Sequence, residues 1–175
     1  MPARFRYPLL LAVIAVLIAA CSMDEAPSDW NVKVGDALPA FSLTDITGKP
    51  VTSQSFEKKV LVISRFATWC PPCVQELPRL EEDIWKKMQD RGVAVVAISS
   101  GENKEDVEKL VKKLNLSFPV LLDPESKYAE ILGGDTIPRT LVVDGNQKIS
   151  KLVNGYTPEE FEKLLKAVSN LTVKN

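Results

Sequence analysis

Runs of apolar residues alternate with amphipathic stretches along most of the chain. Two runs rich in β-branched residues, 59–66 and 93–99, are typical of buried strands in a parallel sheet. Between them, apolar residues recur every three or four positions and predict a helix that packs on the sheet: Leu77, Leu80, Ile84 and Met88. On the same helix, four charged residues are predicted to face water: Glu81, Glu82, Lys86 and Lys87. The order of elements predicts a βαβ unit with a right-handed crossover.

The remaining pattern predicts further strands and helices but no second domain. Short strands at 40–44 and 49–52 are predicted to form an edge hairpin. The later elements are predicted as a helix at 103–115, a strand at 118–123, a short helix at 125–134 that Gly133 ends, a hairpin at 139–155 with its turn at 144–146, and a C-terminal helix. That last helix begins with Thr157 as N-cap, Pro158 at its first position and Glu160 completing a capping box.

The first 20 residues have the layout of a secretory signal peptide. Arg4 and Arg6 precede the apolar run 9–20, which is too short for a transmembrane helix, since such a helix needs about 20 apolar residues. The letters IAAC, ending at Cys21, resemble the lipobox of bacterial lipoproteins, in which the cysteine carries lipid. The alternatives are an ordinary cleaved signal or an uncleaved hydrophobic tether with an incidental cysteine.

We therefore predict three segments: a lipoprotein-type signal peptide at 1–20, a flexible tether at 21–32 and one folded domain at 33–175. An exported domain is in a compartment where disulfides form and persist. With Cys21 assigned to lipid, the remaining cysteines are Cys70 and Cys73.

Composition and charge exclude several classes of function. The formal net charge of the 175 residues is −1, and acidic and basic residues are interspersed, so no surface for nucleic acid is indicated. Without residues 1–20 the chain has 20 basic and 23 acidic residues. Histidine is absent, which removes the commonest general base and metal ligand and any Ser/His or Cys/His catalytic arrangement.

The sequence CPPC at 70–73 allows three interpretations. As a structural staple it is poor, because so small a ring removes little entropy from the unfolded chain. A tetrahedral zinc site needs four ligands, and the sequence has neither a second CxxC nor a histidine. Haem attachment needs His after the second cysteine, where Val74 stands. A redox-active pair is the interpretation that the residues favour.

The position of the pair also points to redox chemistry. A strand ends before Cys70 and a helix begins after it, so Cys70 is predicted at the helix N-terminus, where free N–H groups and the helix dipole favour a thiolate. Pro71 and Pro72 have no N–H, so the N–H of Cys73 is predicted to be the nearest backbone donor. Cys70 is therefore predicted to be the attacking cysteine.

Over residues 34–168 the chain resembles the thioredoxin superfamily, and within it the exported, membrane-anchored TlpA/ResA-like oxidoreductases. The motifs that carry the resemblance are FATWCPPC at 66–73, Pro78, and TIPRT at 136–140. The resemblance implies a thioredoxin fold at 33–175, an α/β fold with a central mixed sheet flanked by helices, here with an added N-terminal β-hairpin.

The resemblance also implies roles for three residues beside the cysteines. The Ile137–Pro138 bond is expected to be cis and to leave the backbone of Ile137 free to pair with an extended substrate segment. The alternative for Pro138 is an ordinary trans proline that opens a strand. Trp69 is expected to shape the docking surface, or alternatively to pack within the domain.

Glu76 stands three residues after the second cysteine, where TlpA/ResA-like proteins have a glutamate. Thioredoxins proper place a buried Asp in the preceding strand, at a position that is Ser64 here. By resemblance Glu76 accepts the proton of Cys73, one helical turn away; the alternative is a solvated surface glutamate. Arg65 departs from the family, which has a bulky apolar residue there. We expect either that its face of the strand is exposed or that Arg65 pairs with a carboxylate.

The resemblance implies a thiol–disulfide oxidoreductase that acts on protein thiols and disulfides in the cell envelope. A reducing role is expected, for example in cytochrome c maturation, with electrons from a membrane thiol reductase and with attachment to the membrane through the lipid. No nucleotide or metal cofactor is implied beyond the redox-active disulfide. The alternatives are a disulfide oxidase or isomerase, and a non-catalytic thiol- or metal-binding module of the same fold.

Overall fold

The computed structural model describes residues 29–172. The predicted signal peptide, the lipidation site Cys21 and most of the predicted tether lie outside the described residues. None of the helices among residues 29–172 combines the length and the apolar character that a membrane span requires.

The described residues form one seven-stranded mixed sheet. The strands are β1 (Ser42–Asp45), β2 (Pro50–Thr52), β3 (Val60–Phe66), β4 (Val93–Ser100), β5 (Val120–Asp123), β6 (Arg139–Val143) and β7 (Ile149–Asn154). Their order across the sheet is β2-β1-β5-β4-β3-β6-β7. The central strands β3, β4 and β5 run parallel, and the outer pairs run antiparallel, including the hairpins β1–β2 and β6–β7. This arrangement confirms the predicted α/β fold class with a central mixed sheet.

Helices cover both faces of the sheet. They are α1 (Pro71–Arg79), α2 (Lys86–Met88), α3 (Lys104–Leu114), α4 (Lys127–Leu132) and α5 (Pro158–Thr172). A π-helical turn, Leu80–Trp85, joins α1 to α2. Side chains of α1, α3 and α5 fill the core on one face of the sheet, and those of α4 and the N-terminal loops fill the core on the other.

Glu81 corrects one expectation about this helical stretch. It was predicted to face water with Glu82, yet it is buried, and its carboxylate accepts hydrogen bonds from the N–H and the hydroxyl of Ser117. The reason is its position four residues after Leu77, which places it beside the buried helical stripe. Because donors from the 115–119 loop meet it there, the carboxylate is buried with partners.

The N-terminal part of the described chain packs on the sheet. Trp30, within the predicted tether 21–32, is buried and pairs with Gly133 through a β-bridge. Its indole N–H donates to Asn154, and the N–H of Asn31 donates to the carbonyl of Leu132. The packed part of the chain therefore includes residues that the sequence pattern assigns to the tether.

The register between β3 and β6 positions the polar groups described below. Ser64 pairs with Thr140, and Arg65 pairs with Arg139. Paired residues project from the same face of a sheet, and successive residues project from opposite faces. The two strands thus place a hydroxyl pair on the α1 face and an arginine pair on the opposite face.

Candidate active site

Cys70 and Cys73 form a disulfide at the start of α1. Cys70 is the N-cap residue, with its Cα 5.3 Å from that of Cys73. Pro71 and Pro72 occupy the first helical positions, and the N–H of Cys73 lies 3.3 Å from Cys70 Sγ. The prediction that this N–H is the backbone donor to Cys70 is confirmed. In the reduced protein, that donor and the helix N-terminus favour a thiolate at Cys70.

The loop before β6, residues 133–138, forms the other side of the site, and we call it the active-site loop. The Ile137–Pro138 peptide bond is cis, as expected. The carbonyl oxygen of Ile137 lies 3.7 Å from Cys70 Sγ. Trp69, next to the disulfide, has 73% of its surface exposed, so it does not pack within the domain. An exposed aromatic ring and a backbone segment therefore flank the sulfur that is predicted to attack.

Glu76 lies beneath the pair and is only 1% exposed. Its carboxylate accepts hydrogen bonds from Ser64 Oγ at 2.7 Å and from Thr140 Oγ1 at 2.9 Å. Burial raises the pKa of Glu76 to about 7, and the two hydroxyl donors partly oppose that rise. The alternative of a solvated surface glutamate is wrong. A carboxyl that titrates near neutrality, one helical turn from Cys73, is suited to exchanging a proton with a thiol.

Sequence reasoning missed the two hydroxyls as partners of this carboxyl. Ser64 stands where thioredoxins have an acid, and Thr140 belongs to the motif TIPRT, but neither pattern indicates a hydrogen bond to Glu76. Thr140 lies 64 residues from Glu76 along the chain. Only the β3–β6 register brings it to the same point, and the sequence pattern does not give that register.

Glu102 is a second residue that the pattern did not single out. Its carboxylate accepts hydrogen bonds from the N–H and hydroxyl of Thr68 and from the hydroxyl of Ser99. Thr68 belongs to the turn that leads from β3 to Cys70, and Ser99 lies in β4. The carboxylate thus fixes the segment that presents Trp69 and the disulfide.

Arg65 corrects both expectations made for it, since it is neither exposed nor directly paired with a carboxylate. It is 5% exposed, and it donates to the carbonyl oxygens of Gly133 at 2.6 Å and Gly134 at 3.4 Å. The active-site loop crosses this face of β3 and presents these two backbone carbonyls to the guanidinium group. Burial is the main reason that the pKa of Arg65 is lowered.

The chemistry that the described residues offer is sulfur redox chemistry with one nearby acid. Among residues 29–172, no three His, Cys, Asp or Glu side chains are placed to hold a metal ion. The disulfide, the Glu76 carboxyl and the exposed surface around Trp69 together form a site that could exchange a disulfide with an extended peptide segment.

Comparisons with known proteins agree with this geometry. Residues 33–168 match the Redoxin family. The chain is 30% identical over 161 residues to the thiol-disulfide oxidoreductase ResA of Geobacillus thermodenitrificans, an alignment that covers 91% of this chain and 90% of the relative.

Solved structures have the same fold. A solution structure from Bacteroides thetaiotaomicron, provisionally named a protein disulfide isomerase, superposes with a TM-score of 0.79 and 31% identity over 83% of this chain and 93% of its own. A thiol:disulfide interchange protein of the thioredoxin family from Chlorobium tepidum gives a TM-score of 0.67 and 25% identity, covering 81% of this chain and 99% of its own. The chain therefore belongs to the Redoxin family of the thioredoxin superfamily and is a ResA-like thiol–disulfide oxidoreductase.

Proposed function

We propose that this oxidoreductase acts as a reductant of disulfides in exported proteins. The observation that carries the proposal is the Cys70–Cys73 disulfide at the start of α1, with the Ile137 carbonyl on one side and the exposed Trp69 on the other. A partner segment that pairs with the backbone of Ile137 would bring its own disulfide to Cys70. We name Trp69, Ile137 and Pro138 as the docking residues.

The proposed reaction transfers two electrons in two exchanges. The Cys70 thiolate attacks one sulfur of the partner disulfide, which forms a Cys70–partner bond and releases the partner's other sulfur as a thiolate that takes up a proton. Cys73, as a thiolate, then attacks Cys70 Sγ, forms the intramolecular disulfide and releases the second partner thiol. The partner is reduced, and Cys70 and Cys73 are oxidised.

We assign Glu76 to the second exchange. Cys73 is fully buried, and burial in apolar surroundings disfavours its thiolate. A base nearby that is ionised in part at neutral pH relieves that barrier by accepting the thiol proton. The raised pKa of Glu76, about 7, supports this role, because a carboxyl with an ordinary pKa would be too weak a base.

We further propose that the enzyme works in the cell envelope as a lipoprotein attached through Cys21. Its electrons would come from a membrane thiol reductase that returns the Cys70–Cys73 pair to the dithiol form. The cysteine pair of exported apocytochrome c, in its disulfide form, is the substrate class that the family resemblance favours, so cytochrome c maturation is the proposed setting. The similarity to the thiol-disulfide oxidoreductase of Geobacillus thermodenitrificans supports the activity, and the layout of residues 1–21 supports the location.

The experiment is to trap the partner with a Cys73→Ser variant of the full chain in native envelopes. This variant is expected to accumulate a mixed disulfide through Cys70 with proteins that are reduced at the end of turnover. Cys70→Ser is the matched control and is expected to trap nothing. Absence of mixed disulfides would contradict the exchange mechanism.

The direction is tested by equilibrating the wild-type pair with glutathione buffers. A reduction potential below that of the envelope partners supports the reductant role. A potential far more oxidising than the ~−180 mV that is typical of disulfide isomerases would show an oxidase instead.

A further inference from the structure

Two buried arginines lie on the face of the sheet opposite Glu76. Arg65 of β3 and Arg139 of β6 are register partners, and they are 5% and 1% exposed. Arginine is almost never buried to this extent without a specific arrangement of acceptors. In most buried ion pairs the acceptors are carboxylates. Here most of the acceptors are backbone carbonyl groups.

The acceptors belong to the active-site loop. Arg65 donates to the carbonyl oxygens of Gly133 and Gly134, and Arg139 donates from Nε to the carbonyl oxygen of Thr136 at 3.0 Å. Arg139 Nη2 also lies 3.3 Å from the hydroxyl of Thr136. The two guanidinium groups therefore bind three carbonyls among the four residues that precede Ile137, whose own carbonyl faces Cys70 Sγ.

The loop lies directly on the Arg139 guanidinium. Gly134 has a φ of +81°, and a Cβ atom built on it would lie 1.9 Å from Arg139 Cζ. A side chain at position 134 would therefore require the loop and the guanidinium to separate. The backbone thus approaches the cation more closely than any other residue type would allow.

The N-terminal segment completes the arrangement on the other side of Arg139. The carboxylate of Asp29 forms an ion pair with Arg139, and this contact is the largest cause of the lowered pKa of Asp29. The ring of Trp30 lies under Arg139, with 4.7 Å between Cζ and the ring centroid, and Trp30 pairs with Gly133. Two residues of the predicted tether therefore contact the arginine that binds the active-site loop.

The two buried arginines are not an efficient way to stabilise the fold. Within residues 29–172, Arg65 Nε and Arg139 Nη1 are buried without a hydrogen-bond partner. Desolvating two guanidinium groups and leaving donors unpaired costs free energy, and apolar side chains of similar volume are often as stabilising or more so. What the arginines supply, and apolar side chains would not, is donors at fixed points along the active-site loop.

We propose that Arg65 and Arg139 are positioning residues that hold the active-site loop against Cys70, with Asp29 fixing Arg139. They keep the Ile137 backbone in the place where an extended partner segment pairs with it. Their effect is therefore on docking of a protein disulfide and not on the sulfur chemistry. The proposal rests on the exchange activity of the family and is independent of the direction of electron flow.

The test compares two substrates with the reduced full-length enzyme in single turnovers. Insulin presents its disulfides in peptide segments that need the loop, whereas the small aromatic disulfide DTNB does not. For Arg139→Gln we expect the rate with insulin to fall about tenfold, through a higher half-saturating concentration, while the rate with DTNB stays within about twofold of wild type. Arg91→Gln, which removes an exposed arginine far from the loop, is the control and is expected to change neither rate.

The outcomes separate positioning from general destabilisation. Equal losses with both substrates, or no loss with insulin, would overturn the proposal. If Arg139→Gln does not fold, the same comparison of substrates is made with Asp29→Ala. The Asp29 side chain is 52% exposed, so its removal leaves the core intact. A two- to threefold loss confined to insulin is expected for Asp29→Ala, and an unchanged half-saturating concentration would contradict the proposal. Failure of the proposed reducing role would show in the reduction potential and would leave this substrate comparison unaffected.

Discussion

The two faces of the β3–β6 strand pair hold polar groups of opposite kinds. On the α1 face, Ser64 and Thr140 bind the Glu76 carboxyl, which burial brings to a pKa of about 7. On the other face, the guanidinium groups of Arg65 and Arg139 donate to carbonyls of the active-site loop. One face therefore holds a carboxyl that can accept a proton near neutral pH, and the other holds fixed hydrogen-bond donors. We propose that these adjacent register pairs serve the same disulfide in different ways, the first through protonation and the second through geometry.

Replacing Glu76, the group that titrates, should have the largest effect on the rate of disulfide exchange. Glu76→Gln keeps the shape of the side chain but cannot accept a proton, so Cys73 would lose its base. We expect the exchange rate above pH 7 to fall about 100-fold and its dependence on a group of pKa near 7 to disappear. Stopped-flow measurement of the second exchange between pH 5 and 9 checks this. An unchanged pH profile would show that Glu76 is not the base.

The same carboxyl should make the stability of the domain depend on pH. The pKa of Glu76 is about 7 in the folded state and near 4.5 in the unfolded state. Between pH 4.5 and pH 7 the folded protein therefore binds a proton at Glu76 that the unfolded protein has released. The contribution of Glu76 to the free energy of unfolding is therefore greatest below pH 4.5 and falls as the pH rises to 7. The loss should be roughly 3 kcal/mol, from 1.36 kcal/mol per pKa unit.

Urea denaturation of the oxidised protein at pH 5 and pH 8 measures this change. The difference in unfolding free energy between the two pH values should be much smaller in Glu76→Gln, because the amide does not titrate. A wild-type protein that is equally stable at both pH values, or that gains stability at pH 8, would contradict the raised pKa.

Removing one hydroxyl should have a smaller effect in a defined direction. Both hydroxyls lower the pKa of Glu76 against the effect of burial, so Thr140→Val should raise that pKa further. We expect the midpoint of the pH–rate profile to move up by about one unit, the value of one hydrogen bond to a charged group. Ser64→Ala is the parallel variant and should move the midpoint in the same direction. A downward shift in either variant would contradict the assigned hydrogen bonds.

The effect confined to one class of substrate should come from the arginine face. Arg139→Gln is expected to weaken docking of a protein disulfide while leaving the pH midpoint of the exchange with a small disulfide unchanged. Combined with Glu76→Gln, its effect on the insulin reaction should be additive in free energy, since the two groups act through opposite faces. A double-mutant cycle checks this. A coupling of about 1 kcal/mol or more would show that the two faces do not act independently.

Local pattern was sufficient to predict much of the fold. The predicted strands 59–66 and 93–99 agree with β3 and β4 to within one residue, because long β-branched runs occur where both faces of a strand are buried. The place of CPPC at the end of a strand also follows from local pattern. Capping by Cys70 and the donor role of the Cys73 N–H then follow from the two prolines.

Contacts between distant residues could not be predicted in this way. Glu81 is buried because Ser117 donates to it, and Arg65 is buried because carbonyls of Gly133 and Gly134 accept from it. Each of these contacts joins segments whose approach depends on strand order and loop path. The helical pattern suggested exposure for Glu81, and residue type suggested either an exposed face or a carboxylate partner for Arg65. These expectations failed for the same reason. The polar contacts that define the site are set by tertiary structure.

The protonation of Glu76 in the oxidised protein tests the account most directly. The carboxyl carbon of Glu76 can be followed by NMR in ¹³C-labelled full-length protein from pH 4 to 9, with Glu76→Gln used to identify the signal. The account predicts a titration midpoint near pH 7. A midpoint near 4.5, the ordinary value for a glutamate, would contradict it and would remove the base that we assign to Cys73.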